Sequence, residues 1–325
     1  MPTDLELTEA MRDIQYENGT WSDRFDLNSI VNTSPVAGVL VWWMTVLVFG
    51  FAAFPLLFVI MPGFADRGYS FAKFAGMFLT GWGTWYLASL RIPAWSQVGI
   101  GVALLVLFGI GLALLWRRRD EFVDYLREHW RRLAVIELIT LIAFLAFLFV
   151  RLTNPDLWHP SFGGEKPMDF AYFNGVLRST IFPPIDPWFT GGYINYYYFG
   201  YVIVGTPVLL LKMSPSIAYN LILPTLFALT GIGAFSVAFT LVNTLHERRI
   251  TSTEDGLLSR ARRLGNPWVA GIAALLLAVV LGNLDTTRVF FSGIARAGGY
   301  EQPSGMANYL VEQYINQNDE MDDMR

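Results

Sequence analysis

Charge is what this sequence lacks most. Only 15% of its 325 residues are Asp, Glu, Lys or Arg and 54% are hydrophobic, where a soluble domain carries about 25% charge. The deficit is concentrated in stretches long enough to cross roughly 30 Å of hydrocarbon, which takes about 20 apolar residues each. Lipid therefore stands in for a buried core. Cysteine is absent, which excludes disulfides, thiolate catalysis and cysteine-ligated metals. Three histidines, at 129, 159 and 246, are too few for a histidine-built metal site. The net charge of −4, with no basic stripe interleaved with aromatics, speaks against a nucleic-acid partner. Residues 1–34 do not read as a secretory signal, which starts basic and turns apolar. They carry Asp4, Glu6, Glu9, Asp13, Glu17, Asp23 and Asp26 against Arg12 and Arg24, and are expected to form a solvated, partly disordered acidic tail.

What is present is a series of apolar runs. Spans are expected at 35–61, 71–90, 98–116, 133–150, 217–245 and 268–281. Trp82, Trp85 and Tyr86 sit where interfacial aromatics would. The strongest topological signal is Arg117-Arg118-Arg119, continued by Arg127, Arg131 and Arg132. Short arginine-loaded loops stay on the cytoplasmic side. Phe122, Tyr125, Leu126 and His129 give residues 117–132 the pattern of an amphipathic helix on the membrane surface. Residues 35–116 then form a three-span unit with the acidic tail outside. Glu137 lies within the fourth span, and an intramembrane carboxylate is a functional candidate by default. Near the interface, however, it is expected to reach water or Arg131.

A long outward loop, 151–192, follows. Loops of that length are uncommon unless they carry function. A second basic segment, 246–265, holds Arg248, Arg249, Arg260, Arg262 and Arg263. If both apolar stretches between loop and basic segment crossed the membrane, these arginines would end outside, against the positive-inside rule. The stretch 193–213, with its triple tyrosine and internal Pro207, is therefore expected to lie along or dip into the outer interface. The segment 286–325 is polar and closes no bundle, so a longer protein is expected.

The candidate chemistry is in the loop. Asp169 sits where a helix N-cap would, ahead of apolar residues at 170, 173, 176 and 177. It reads equally as a cap or as a reactive carboxylate. Glu165 and Asp186 share its loop with Lys166 and Arg178. Carboxylates at a water–lipid boundary serve as general bases or polarise hydroxyls, and the cations suit a phosphate. Tyr193, Asn195, Tyr196, Tyr197 and Tyr198 offer either a plain aromatic belt or a platform for a sugar face or a lipid.

Three segments carry a resemblance: Gly164-Glu165-Lys166-Pro167-Met168-Asp169, then Phe182-Pro183-Pro184-Ile185-Asp186-Pro187-Trp188, then Ile194-Asn195-Tyr196-Tyr197-Tyr198-Phe199-Gly200. Together they resemble the signature of the YYY family of polytopic membrane proteins, over about residues 35–285 and including Gly282-Asn283-Leu284-Asp285. That layout is similar to the GT-C class of glycosyltransferases, which take sugars from polyprenyl-phosphate carriers. The resemblance implies that Asp169 is the catalytic carboxylate and that Asp285 lies on a second outer loop, where the class often carries another acidic residue. From the residues themselves, Glu165, Asp186 and Asp285 are the expected supporting carboxylates, and Lys166 or Arg178 the expected donor-phosphate contact. The resemblance also implies a juxtamembrane aromatic segment at Tyr196–Tyr198, and Asp285 as a residue that could help hold a divalent cation. No other cofactor is implied. Full-length members carry further spans and a later acidic and histidine-bearing motif that this sequence does not hold, so activity is expected of a longer chain.

The expected fold is an all-α, polytopic transmembrane helical bundle whose long outer loop carries short interfacial helices. The core unit covers 133–285. The leading expectation is a multi-pass protein of the cell membrane that transfers a sugar from a polyprenyl-phosphate donor, with membrane lipid and that donor as partners. A transporter or lipid-handling protein, and a non-catalytic membrane scaffold, stay open as alternatives.

Overall fold

The computed structural model describes residues 6–17, 24–153, 155, 157, 166–189, 191–251 and 265–281. Its elements are helices: α1 Glu9–Glu17, α2 Ile30–Thr33, α3 Pro35–Ile60, α4 Tyr69–Ser89, α5 Gln97–Leu115, α6 Arg119–Thr153, α7 Lys166–Arg178, α8 Phe199–Leu211, α9 Pro215–Thr251 and α10 Pro267–Val279. Among the described residues there is no strand, only isolated bridges pairing Glu6 with Gly192 and Ile185 with Tyr193. This is an all-α membrane helical protein. Three segments are long and apolar enough to cross a membrane: Pro35–Ile60, Gln97–Thr153 and Pro215–His246.

Local chemistry sets the helix ends. Ser34 accepts from the Ala37 N–H ahead of Pro35 at the first helical position. Ser96 does the same for Gly99, and Asn266 for Trp268. Each cap satisfies an amide that the first turn leaves without a partner. At the far end of α8, Lys212 adopts a left-handed conformation with φ 50°, which ends the helix before Pro215 starts α9.

The long helices run between two ends of one bundle. One end carries the arginines: Tyr125 and Arg132 of α6 both donate to the Ala65 carbonyl in the α3–α4 turn. Leu115 at the end of α5 packs with Phe54, Phe58 and Tyr125 in the same cluster. At the opposite end, Gln97 at the start of α5 donates to the Leu210 carbonyl, and Phe147 of α6 stacks on Phe227 of α9. The 3₁₀ turn Trp116–Arg118 therefore reverses the chain between α5 and α6. Helices α3 and α4 cross closely, because a Cβ on Gly76 would lie 2.1 Å from the Phe49 carbonyl oxygen. Outward-facing Val98, Val102, Leu105, Leu138, Ile142 and Phe149 leave a broad apolar surface, as lipid contact requires.

The short helix α8 is tied to its surroundings at both ends. Tyr198, just before it, accepts from Trp85 near the end of α4. Lys212, just after it, offers its carbonyl to the Asp26 amide and to the Asn32 side chain at the start of the chain. Both ends of α8 thus lie at the bundle end opposite the arginines, and the 13-residue helix lies across that end.

Three findings differ from the sequence reading. Residues 117–132 are not a separate surface helix: 117 and 118 belong to the 3₁₀ turn, and α6 runs unbroken from Arg119 to Thr153. The first described residues are not a solvated tail. Leu7, Gln15 and Phe25 are buried, and the Gln15 side chain accepts from the Thr180 amide and donates to the Ile181 carbonyl. A few apolar side chains and one amide suffice to dock α1, despite the acidic composition. Glu137, finally, has a partner other than Arg131. It pairs with Lys73 at 2.5 Å and accepts from the Tyr69 hydroxyl.

Candidate functional site

Helix α7 sits on the bundle end away from the arginines. Its Phe173, Val176 and Leu177 are fully buried, the i, i+3, i+4 pattern of a helix seated on a core. Its last-turn carbonyls lack intrahelical donors. Trp95 Nε1 supplies one to Val176, at 3.0 Å, and Arg24 supplies one to Leu177, at 2.7 Å. Gly175 lets the helix lie against the following segment, since a Cβ there would stand 2.7 Å from the Ile185 carbonyl. Ser179 and Ile185 tie that segment back to α7.

This seating aims Asp169. The helix begins at Lys166, so Asp169 is not the N-cap but a first-turn residue. Its Oδ1 accepts from the Tyr201 hydroxyl at 2.6 Å and from the Tyr197 hydroxyl at 3.0 Å. Among the described residues no group donates to Oδ2. Phe170, Phe173, Tyr201 and Tyr219 form an aromatic wall beside the carboxylate, with Tyr219 5.7 Å from Phe170 and 6.0 Å from Phe173. Arg151, 9% exposed in the last turn of α6, stands close enough that its charge and that of Asp169 both act on Tyr219. Burial, then the hydrogen bond and negative charge of Asp169, push the Tyr201 phenol well up from its ordinary value. Tyr201 therefore stays a protonated donor at neutral pH. A carboxylate accepts only, so two phenols on one oxygen fix its orientation.

The triple tyrosine divides its work. Tyr197 reaches Asp169. Tyr198 stacks on Phe182 at 5.7 Å and accepts from Trp85. Tyr196 is 65% exposed. Tyr193 pairs with Ile185 in a bridge, and Asn195 is exposed. Asp186 is spent locally, its Oδ1 accepting from the Trp188 and Phe189 amides. Lys166 opens α7 one turn before Asp169. Arg178 closes the helix nine residues after Asp169, roughly 14 Å away at 1.5 Å per residue, and its charge acts on Arg24 instead. Glu165 and Asp285 lie outside the described residues. Among the described residues no three His, Asp or Glu side chains gather as metal ligands do.

A family model described as uncharacterized membrane protein (DUF2298) matches residues 79–311. The match begins within α4 and takes in α7, α8 and the whole Asp169 cluster. The chain belongs to that family. No curated protein and no solved structure matches it. In this DUF2298 member, Arg24, Lys73 and α1 precede the matched region, so the contacts of Arg24 and Gln15 with the end of α7 brace the family's portion from outside.

Sequence reasoning missed Tyr201, Tyr219 and Arg151. Two signals were readable. Tyr201 follows Tyr197 by four residues, one helical turn. Arg151 is a cation at the end of a span where the positive-inside rule would not place it.

Proposed function

We propose that this DUF2298 protein is a multi-pass glycosyltransferase that takes a sugar from a polyprenyl-phosphate donor, with Asp169 at its centre. The observation that carries the reading is the Asp169 carboxylate held by two tyrosine hydroxyls through one oxygen, with the other turned to no described donor. The positive-inside rule puts this end of the bundle outside the cytoplasm. The acceptor hydroxyl would hydrogen-bond to Asp169 Oδ2 and give up its proton there as its oxygen attacks the anomeric carbon. The bond from that carbon to the phosphate oxygen breaks, and polyprenyl phosphate leaves. Lys166, in the same first turn as Asp169, and Arg151, whose charge reaches Tyr219 as that of Asp169 does, would balance the departing negative charge. Asp169 also steadies the positive character that builds on the sugar. Tyr196 and Tyr197 offer ring faces at the mouth, where a sugar or isoprenoid packs.

The test uses full-length protein in liposomes with labelled polyprenyl-phosphate sugars, reading polyprenyl phosphate released. Asp169→Asn should lower release at least a hundredfold, the scale of a lost general base, at unchanged melting temperature. Release by the variant at the wild-type rate would remove Asp169 from the chemistry. A transport function has one observation in its favour, the Lys73–Glu137 pair among the helices. That pair is already closed on itself with Tyr69, as a structural tie would be.

A further inference from the structure

A second polar feature occupies the same end of the bundle as Asp169 but lies beyond the other end of α7. It is a cavity of about 240 Å³ between the α4–α5 turn, the end of α8 and the segment before α2. Arg24 and Lys212 line it together with Ser96, Gln97 and Thr180, and among the described residues no carboxylate lines it. Gln97 and Val98 belong to the first turn of α5, whose amides no helix can satisfy internally and whose dipole favours an anion. Arg24 is held in place by the Leu177 carbonyl. Burial, and then the nearby charge of Arg178, lower it to about 10. It is still a cation at neutral pH, and an anion beside it would relieve that strain.

The apolar side of the cavity is equally informative. Trp95, Val98 and Leu209 form it. Val98 is 74% exposed and begins a stripe with Val102 and Leu105, both exposed, at helical spacing down the outside of α5. The cavity thus opens at the top of a track that faces hydrocarbon. Its volume is below the ~300 Å³ at which drug-sized sites begin, and suits a headgroup.

We propose that this cavity binds the phosphate of a net-anionic lipid, with Arg24, Lys212 and the α5 N-terminus on the phosphate and an acyl chain along Val98, Val102 and Leu105. The site is separate from Asp169, and its existence does not depend on the sugar-transfer reading. It docks the loop-bearing end of the bundle to an anionic membrane surface.

Native mass spectrometry of the detergent-purified full chain, offered equal phosphatidylglycerol and phosphatidylcholine, tests this. Phosphatidylglycerol should be retained in preference. Lys212→Asn should weaken that retention about tenfold, the loss of one charge-assisted contact, and Arg24→Gln should do likewise. Arg119→Gln, at the opposite end, should change nothing. Lys212→Asn is the decisive variant because asparagine tolerates the left-handed backbone at 212, and its melting temperature reports that folding is kept. A parallel melting series with sodium phosphate and no added lipid separates the sources. Stabilisation by phosphate that Lys212→Asn abolishes, with no preference between the lipids, would overturn the lipid and assign the cavity to a soluble phosphate. Equal retention of both lipids with no response to phosphate would overturn the site altogether. So would a Lys212→Asn protein that holds phosphatidylglycerol as tightly as the wild type.

Discussion

Asp169 and Tyr201 form the shortest contact of the candidate site, and the two side chains make different demands on a mutation. Tyr201→Phe keeps the ring that packs near Phe173 and removes only the hydroxyl. A hydrogen bond to a charged group contributes about 1.5–3 kcal/mol, so sugar transfer should fall roughly ten- to a hundredfold. Tyr197→Phe, at the longer and more exposed contact, should cost less, and Tyr196→Phe should cost nothing, all read as turnover in the same liposome assay. Because the Tyr201 phenol is raised above its ordinary pKa of about 10, it holds its proton further into alkali than a free tyrosine. The pH–rate profile should therefore show no falling limb from Tyr201 up to that pH. A limb that Tyr201→Phe abolishes would contradict this placement. At this scale the sequence disclosed the carboxylate and the triple tyrosine. It did not disclose that Asp186 would be spent on the Trp188 and Phe189 amides, because a turn-capping aspartate and a reactive one have the same local pattern.

Helices were the most legible elements. Their expected and observed bounds agree closely where a capping residue and proline mark the start, as at Ser34-Pro35 and Asn266-Pro267. The α6 helix was harder, since its polar first half reads as a surface segment until Tyr125 and Arg132 are seen to grip the Ala65 carbonyl. Contacts between distant elements were not legible at all. Lys73 and Glu137 are 64 residues apart, and nothing local pairs them. Lys73 is 3% exposed, so Lys73→Met should destabilise the detergent-solubilised protein by about 3–5 kcal/mol, as an unpaired buried carboxylate does. Adding Glu137→Leu should restore most of the melting temperature, whereas a double variant as unstable as the single one would mean that the pair is not coupled. Gly175→Ala tests how α7 is seated. Its Cβ would meet the Ile185 carbonyl, and the shift this forces, with overpacking costs of about 1–3 kcal/mol, should loosen the Tyr197 contact to Asp169 and lower turnover more than a surface substitution.

The whole molecule is organised by the placement of α8. With both its ends at one end of the bundle, the end of α6, the triple tyrosine and the start of α9 meet around Asp169, and the arginines of the α5–α6 turn stay at the other end. The charge argument gives α8 the same place, since the positive-inside rule keeps both basic segments on one side only if α8 does not cross. The absence of native cysteine allows a direct measurement of it. Single cysteines at the exposed positions Asn195, Ser216 and Arg118, before α8, after α8 and at the arginine-rich turn, would be treated in intact cells with a membrane-impermeant maleimide. Labelling at 195 and 216, with 118 protected until the membrane is permeabilised, is the expected result and places the Asp169 site on the outside. Labelling at 195 but not 216 would mean that α8 crosses the membrane, and labelling at 118 alone would put Asp169 in the cytoplasm; either result would contradict the account.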